Sequence, residues 1–241
     1  MGRRPIVANE DFDIDRLARY LHISASQVHR MAERGHLPAR RIAGQWRFAP
    51  GEIHHWLEER IGIGDEGELA DMEGALDRHH GVEDAVDLVA MMPVEAIDAS
   101  LPAKTRGAVI LAMADLAANA GLLWDPAKMA NAVRARENLH PTALESGVAL
   151  LHPRRPLSGV VSEPFLALGR TPSALPFGGP RGTLTDLFFL LGSRTDAGHL
   201  RLLARLSRFL STPGTIGALR EAPDAVSMRE VLATWEDAFK N

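Results

Sequence analysis

The segment Leu187-Phe188-Phe189-Leu190-Leu191 carries no polar residue on either side of a two-residue repeat. Such a strand cannot present one face to water, so it must lie inside a sheet covered on both faces. Strand-like apolar runs recur at 147–151, 160–168 and 174–177, separated by glycine and proline clusters such as Phe177-Gly178-Gly179-Pro180-Arg181-Gly182. Helical patterns stand between them. Residues 104–121 align Val109, Ile110, Met113, Leu116 and Ala117, residues 125–135 form a second helix, and a third, starting at His199, aligns Leu200, Leu203, Leu206 and Leu210. On that third helix Arg201, Arg205 and Arg208 are expected on the outer side. Helices and strands mixed in this order predict an α/β body, an α+β-type mixed sheet flanked by helices.

The chain has 241 residues, 46% hydrophobic and 24% charged, which is ordinary for globular proteins. It has no cysteine, which excludes disulfides, thiolate metal sites and cysteine nucleophiles together. No apolar run is long enough to cross a bilayer, and the first residues lack the apolar core of a signal peptide, so a cytoplasmic protein without a membrane partner is expected. The net charge of −4 hides a division. Residues 1–60 hold ten arginines against eight acids, whereas 61–84 hold eight acids against Arg78 alone. This predicts a basic head over 9–60, an acidic linker over 61–84 and a body over 85–241.

In the head, Ile14, Leu17, Ala18 and Leu21 have helical spacing, and Ser24 is placed to cap a second helix over 25–34 that buries Val28, Met31 and Ala32. Gly35 closes it. Ile42, Trp46 and Phe48 then alternate around Gly44 as a two-stranded wing, and a last helix over 51–60 turns Ile53, Trp56 and Leu57 inward. Two short helices joined by a tight turn form a helix-turn-helix, a small, mainly α module. The residues Ile23-Ser24, Gln27-Val28-His29-Arg30, Gly35-His36-Leu37-Pro38-Ala39 and Gly44-Gln45-Trp46-Arg47 resemble an excisionase or MerR-type winged helix domain. That resemblance implies DNA as a partner. Ser26, Gln27, His29 and Arg30 would face base edges, and Arg40, Arg41, Gln45 and Arg47 the phosphates or minor groove. The bland alternative is a winged helix used only for protein contacts or dimerisation. A homodimer on a two-fold site would offset the modest charge of one copy.

The linker is read as a glycine-rich hinge followed by a helix over 68–80. His54-His55 and His79-His80 lack metal-ligand spacing and are read as solvent-facing histidines.

The chemistry concentrates between Arg136 and Arg154. Arg136-Glu137 precede a turn-rich segment, then Gly147-Val148-Ala149-Leu150-Leu151 ends on His152 and Pro153, with Arg154 and Arg155 beyond. A histidine at a strand end is expected at the sheet's edge within reach of ligands, and an imidazole among cations suits a phosphoryl anion. Arg136-Glu137, Thr142 and the Gly-Val-Ala-Leu-Leu-His run resemble the phosphorylation motif of phosphotransferase-system enzyme IIA domains of the fructose/mannitol/nitrogen-regulatory family. Leu151 departs from it, standing where the family has proline. The His199-Leu200…Leu203…Leu206…Leu210 helix matches that family's second active-site histidine. The resemblance implies His152 as phosphoacceptor, with His199, Arg136 and Thr142 in the site and an HPr-type phosphocarrier as donor. A helix N-terminus disfavours a cationic imidazole and favours an anion, so a neutral His199 would donate to a phosphoryl oxygen. No cofactor or metal is expected, although His140, His152 and His199 would suffice in composition for a partial zinc site. The combined reading is a bacterial regulator coupling DNA binding to reversible histidine phosphorylation, a phosphohistidine intermediate rather than a turnover enzyme. Two alternatives remain open: a regulator whose body has lost phosphotransfer and senses or assembles, and a carrier delivering phosphate to a sugar transporter.

Overall fold

The computed structural model describes residues 11–21, 24–49, 52–53, 56 and 86–240. The chain divides into two compact units, Met1–Glu83 and Asp84–Asn241. The expected linker helix over 68–80 and both histidine pairs lie outside the described residues. Of the expected helix over 51–60, Glu52, Ile53 and Trp56 are described and are helical.

In the first unit, α1 (Ile14–Leu21) begins where Asp13 accepts the Arg16 N–H at 2.8 Å. Helix α2 (Ala25–Glu33) starts with a capping box: Ser24 accepts from the Gln27 N–H, and the Gln27 side chain accepts from the Ser24 N–H. Gly35, at φ +70°, lets the chain leave that helix through the left-handed region. Strands β1 (Arg40–Ile42) and β2 (Gln45–Arg47) pair antiparallel, with Ala43 and Gly44 both at positive φ in the hairpin turn. Paired N–H···O bonds between Phe12 and Phe48, at 2.8 and 3.0 Å, tie the wing to the start of the unit. Leu17, Val28, Phe48 and Ile53 are fully buried and form its core.

The second unit opens with a 3-10 turn (Val94–Ala96) and β3 (Ile97–Asp98), then α3 (Arg106–Asn119) and α4 (Pro126–Leu139). Next come β4 (Val148–Leu151), β5 (Phe165–Pro176) and β6 (Leu184–Gly192), and finally α5 (Asp196–Ser211), α6 (Thr215–Glu221) and α7 (Ala225–Lys240). Side chains of Thr105, Asp125 and Thr195 cap α3, α4 and α5. Asp224 accepts the Ser227 N–H at 2.8 Å in the first turn of α7, and that bond holds its carboxyl below the ordinary carboxylate value. The sheet runs β3-β5-β6-β4, with β4 parallel and β5 antiparallel to β6. The unbroken apolar run is thus an inner strand, as its composition requires. Ala149, Leu151, Phe165, Ala167, Phe188 and Leu190 pack against Val109, Ile110 and Met113 of α3 and Met129 and Val133 of α4. Strand alternation sends Val148, Leu150, Leu187, Phe189 and Leu191 to the opposite face, where α5 lies against β6.

Two expectations need correction. The strand expected over 160–168 and the one over 174–177 are largely a single strand, β5, with a register shift between Arg170 and Leu175. The polar Gly169-Arg170-Thr171 stretch reads as a break, but Arg170 is recruited to the end of α6. Its guanidinium donates to the carbonyls of Leu219, Arg220 and Ala222 at 3.0, 2.6 and 2.7 Å, where a helix C-terminus favours a cation. Val160 and Val161 stay outside β5; Val161 bridges Leu123 instead. The second correction concerns α5, where two of the three arginines are buried and Arg208 is half-buried. Arg201 and Arg205 are only 9% and 6% exposed, and α7 covers Arg205. Arg205 pairs with Glu236 at 2.7 Å and lies 4.8 Å over the Trp235 ring, and Glu236 also accepts the Leu88 N–H at 3.1 Å.

Gly147, which precedes β4, has φ +79°. A methyl on it would sit 2.7 Å from the Arg220 guanidinium and 3.0 Å from the Leu184 carbonyl oxygen. Arg220 is itself held by Asp186, which raises its pKa further, and donates to the Ser146 carbonyl at 2.7 Å. Gly147→Ala is therefore expected to lower stability by about 1–2 kcal/mol from the left-handed backbone alone, read by equilibrium chemical denaturation.

Candidate functional site

Alternation along β4 sets the direction of His152. Val148 and Leu150 face α5, Leu151 packs among the α3 and α4 side chains, and His152 returns to the α5 side. There its ring meets that of His199, in the first turn of α5, with centroids 5.0 Å apart and planes tilted by 50°. The two imidazoles, 47 positions apart in the chain by their numbers, are thus neighbours. Both are almost fully enclosed, His152 at 2% and His199 at 1% exposure. Strand β4 is an edge strand, as its histidine-proline ending led one to expect, but the ring itself turns inward under α5 rather than out to solvent. Arg154 and Arg155 are exposed.

His152 Nδ1 lies 2.7 Å from the Leu150 carbonyl oxygen. A carbonyl only accepts, so Nδ1 carries the proton and the lone pair is on Nε2. The hydrogen bond thereby selects the tautomer of the neutral ring.

The turn-rich segment before β4 runs back along that strand's free edge. Leu144 donates its N–H to Val148, Thr142 accepts from Leu150 at 3.5 Å, and Ala143 bridges Ala149. Thr142 is in turn held by Glu137, whose carboxylate takes both its N–H, at 3.2 Å, and its hydroxyl. Glu137 is fully buried on α4 and also receives Arg106 at 3.2 Å. The Arg-Glu pair thus splits its duties. Glu137 anchors the segment that abuts the histidine strand, while Arg136, 5% exposed, donates to the His140 carbonyl at 2.7 Å at the end of α4. Sequence reading noted Glu137 only as the companion of Arg136 and missed Arg106. A carboxylate next to an arginine gives no hint of a partner 31 residues earlier. Among the described residues no cluster of three or more His, Asp or Glu is arranged to hold a metal ion, and His140 serves as the C-terminal cap position of α4.

On the first unit, Ser26, Gln27, His29 and Arg30 are all exposed on α2, and Arg40, Arg41 and Gln45 are exposed on the wing. Several have local partners. Gln27 belongs to the capping box, and His29 Nδ1 lies 3.5 Å from Glu33. Arg40 pairs with Asp11 at 2.8 Å, which raises its pKa. Arg41 stacks over Trp46 at 4.6 Å, and half-buried Arg47 donates to Gln45 at 2.7 Å. Arg30 projects from the last turn of α2.

An α/β unit with paired buried histidines and a separate winged helix unit define a two-part protein. Comparison with known proteins gives each part a family. Residues 90–235 match the model of the phosphoenolpyruvate-dependent sugar phosphotransferase system EIIA 2 family, and residues 12–61 match a helix-turn-helix domain. The chain therefore belongs to the EIIA type-2 family of the phosphotransferase system, with an N-terminal helix-turn-helix domain. It is 34% identical to a nitrogen regulatory protein of Bradyrhizobium diazoefficiens over 142 residues, 57% of this chain and 91% of the relative. It is 28% identical to the fructose-specific EIIA component of Haloferax volcanii over 152 residues, 62% of this chain and 97% of that protein. Its fold is similar to the nitrogen regulatory protein IIA-Ntr of Neisseria meningitidis, with TM-score 0.53 and 22% identity over 60% of this chain and 97% of that one. It is also similar in fold to mannitol IIA of Escherichia coli, with TM-score 0.51 and 20% identity over 58% and 97% of the two chains. The two family matches together support a phosphotransferase-system-related regulator with a DNA-binding domain. Among the described residues no helix is long and apolar enough to cross a membrane.

Proposed function

We propose that this protein is a cytoplasmic regulator in which His152 Nε2 accepts a phosphoryl group from an HPr-type carrier, and that this mark adjusts DNA binding by residues 9–60. The observation that carries the reading is the His152 Nδ1 bond to the Leu150 carbonyl, which presents an Nε2 lone pair beside His199. In the transfer, that lone pair forms the new N–P bond as the carrier's N–P bond breaks, and the carrier nitrogen keeps the departing pair. Nδ1 retains its proton throughout, so the developing positive charge on the ring is shared with the Leu150 carbonyl. His199 would donate to a phosphoryl oxygen, and Arg136 would supply the fixed positive charge. Thr142 acts through β4: its link to buried Glu137 holds the strand edge that carries the nucleophile.

The acidic joint over 61–84 and the body over 85–241 divide linker from phosphoacceptor in this reading. A second copy of the chain would pair two heads on a two-fold DNA site. Incubation with a phosphorylated HPr-type carrier, followed by mapping of an acid-labile, base-stable phosphoryl mark, tests the body. The head is tested by mobility shift. Arg30→Ala is expected to weaken specific DNA binding by about 1–3 kcal/mol, or on the order of tenfold or more, without changing the thermal melt. Unchanged affinity for that variant would favour a head used for protein contacts.

A further inference from the structure

Resting on this phosphoacceptor reading of His152, we propose that the hydroxyl of Ser193 is a further donor to the phosphoryl group, completing a pocket with His199. Ser193 follows the last residue of β6 and is 2% exposed, yet its hydroxyl has no hydrogen-bond partner among the described residues. Buried hydroxyls are ordinarily paired, so one that is not calls for an explanation, and here its place in the sheet supplies one.

The sheet register says where that hydroxyl lies. Strands β4 and β6 are parallel, with Val148 opposite Leu187 and Leu150 opposite Phe189. Side chains opposite one another in a parallel pair share a face. On β4 that face continues from Val148 and Leu150 to His152. On β6 it continues from Leu187, Phe189 and Leu191 to Ser193. Both polar residues therefore stand at the carboxyl end of adjacent parallel strands, on the α5 side. Helix α5 begins at Asp196 and brings His199 to the same place, against the His152 ring. Ligands of open α/β sheets gather at this end of the strands. A hydroxyl there can donate its proton to one phosphoryl oxygen without transferring it, strongest when the group is fully charged. Leu191, its neighbour on the pleat, is fully buried and keeps water from the site.

The test follows phosphorylation of His152 in the full-length protein with two donors, a phosphorylated HPr-type carrier and the small donor phosphoramidate. Ser193→Ala is expected to slow labelling by both at least about tenfold, the range for a hydrogen bond to a charged group. Ser193→Thr, which keeps the hydroxyl, should recover most of the rate. The thermal melt separates this role from a structural one: removing an unpaired buried hydroxyl should leave Tm unchanged or raise it. Wild-type rates from both donors in Ser193→Ala would overturn the proposal, and so would a lowered Tm that accounts for slower labelling. Labelling by phosphoramidate alone would remove the HPr-type donor but leave Ser193 to be judged by that reaction. No labelling of His152 by either donor would overturn both readings.

Discussion

His152→Gln is expected to abolish the acid-labile, base-stable phosphoryl mark, while His199→Gln leaves a slower but detectable one. Glutamine approximates the volume of the buried ring and can still donate toward the Leu150 carbonyl, but its amide nitrogen has no available lone pair. The variant should therefore fold, and circular dichroism with a thermal melt would establish that before labelling is compared. Loss of the nucleophile removes the covalent step entirely, whereas loss of a hydrogen-bond donor removes part of the charge stabilisation, on the order of a hundredfold or more for one preorganised donor. Equal labelling of His152→Gln and wild type would place the phosphoacceptor elsewhere. Absence of labelling in the wild type from several carriers would favour a body that senses or assembles instead. Leu151 bears on this choice: it packs in the α3–α4 core, so burial holds the end of the strand.

The second large effect is expected at the far side of α5. Glu236→Ala should lower the stability of the body by about 3–5 kcal/mol, measured by denaturant unfolding, because it strands the Arg205 charge in a buried setting. It also strips the Leu88 N–H of its acceptor. The double change Arg205→Met with Glu236→Leu should restore most of that loss, since an apolar pair of similar volume needs no desolvation of charge. If Glu236→Ala unfolds at the wild-type denaturant concentration, the pair is not buried in solution as it is in the structure.

These two sites mark different limits of sequence reading. The Leu187–Leu191 run demanded an inner strand because a strand without a polar face has nowhere else to go, and β6 is one. Ser24, Gly35 and the Gly44 turn were legible for a more local reason: caps and tight turns are settled within four residues by hydrogen bonds and allowed φ, whereas Gln27, expected to face base edges, closes the capping box. The histidine pair was legible only through the spacing of two motifs that resemble a known family.

What the sequence left open depended on partners far along the chain. A leucine ridge on α5 predicts one buried side and says nothing of the other. Only α7, bringing Glu236 to Arg205, turns an expected surface helix into an interior one. A polar Gly-Arg-Thr stretch reads as a loop until α6 offers its carbonyl end to Arg170. The orientation of the His152 ring is set by a backbone oxygen facing Nδ1, which has no signature in any side chain. Local preference and hydrophobic pattern thus determined most of the elements and their order. Tertiary structure alone decided which polar groups are buried together, because the energy of burying a charge or a lone pair is set by the neighbour that meets it.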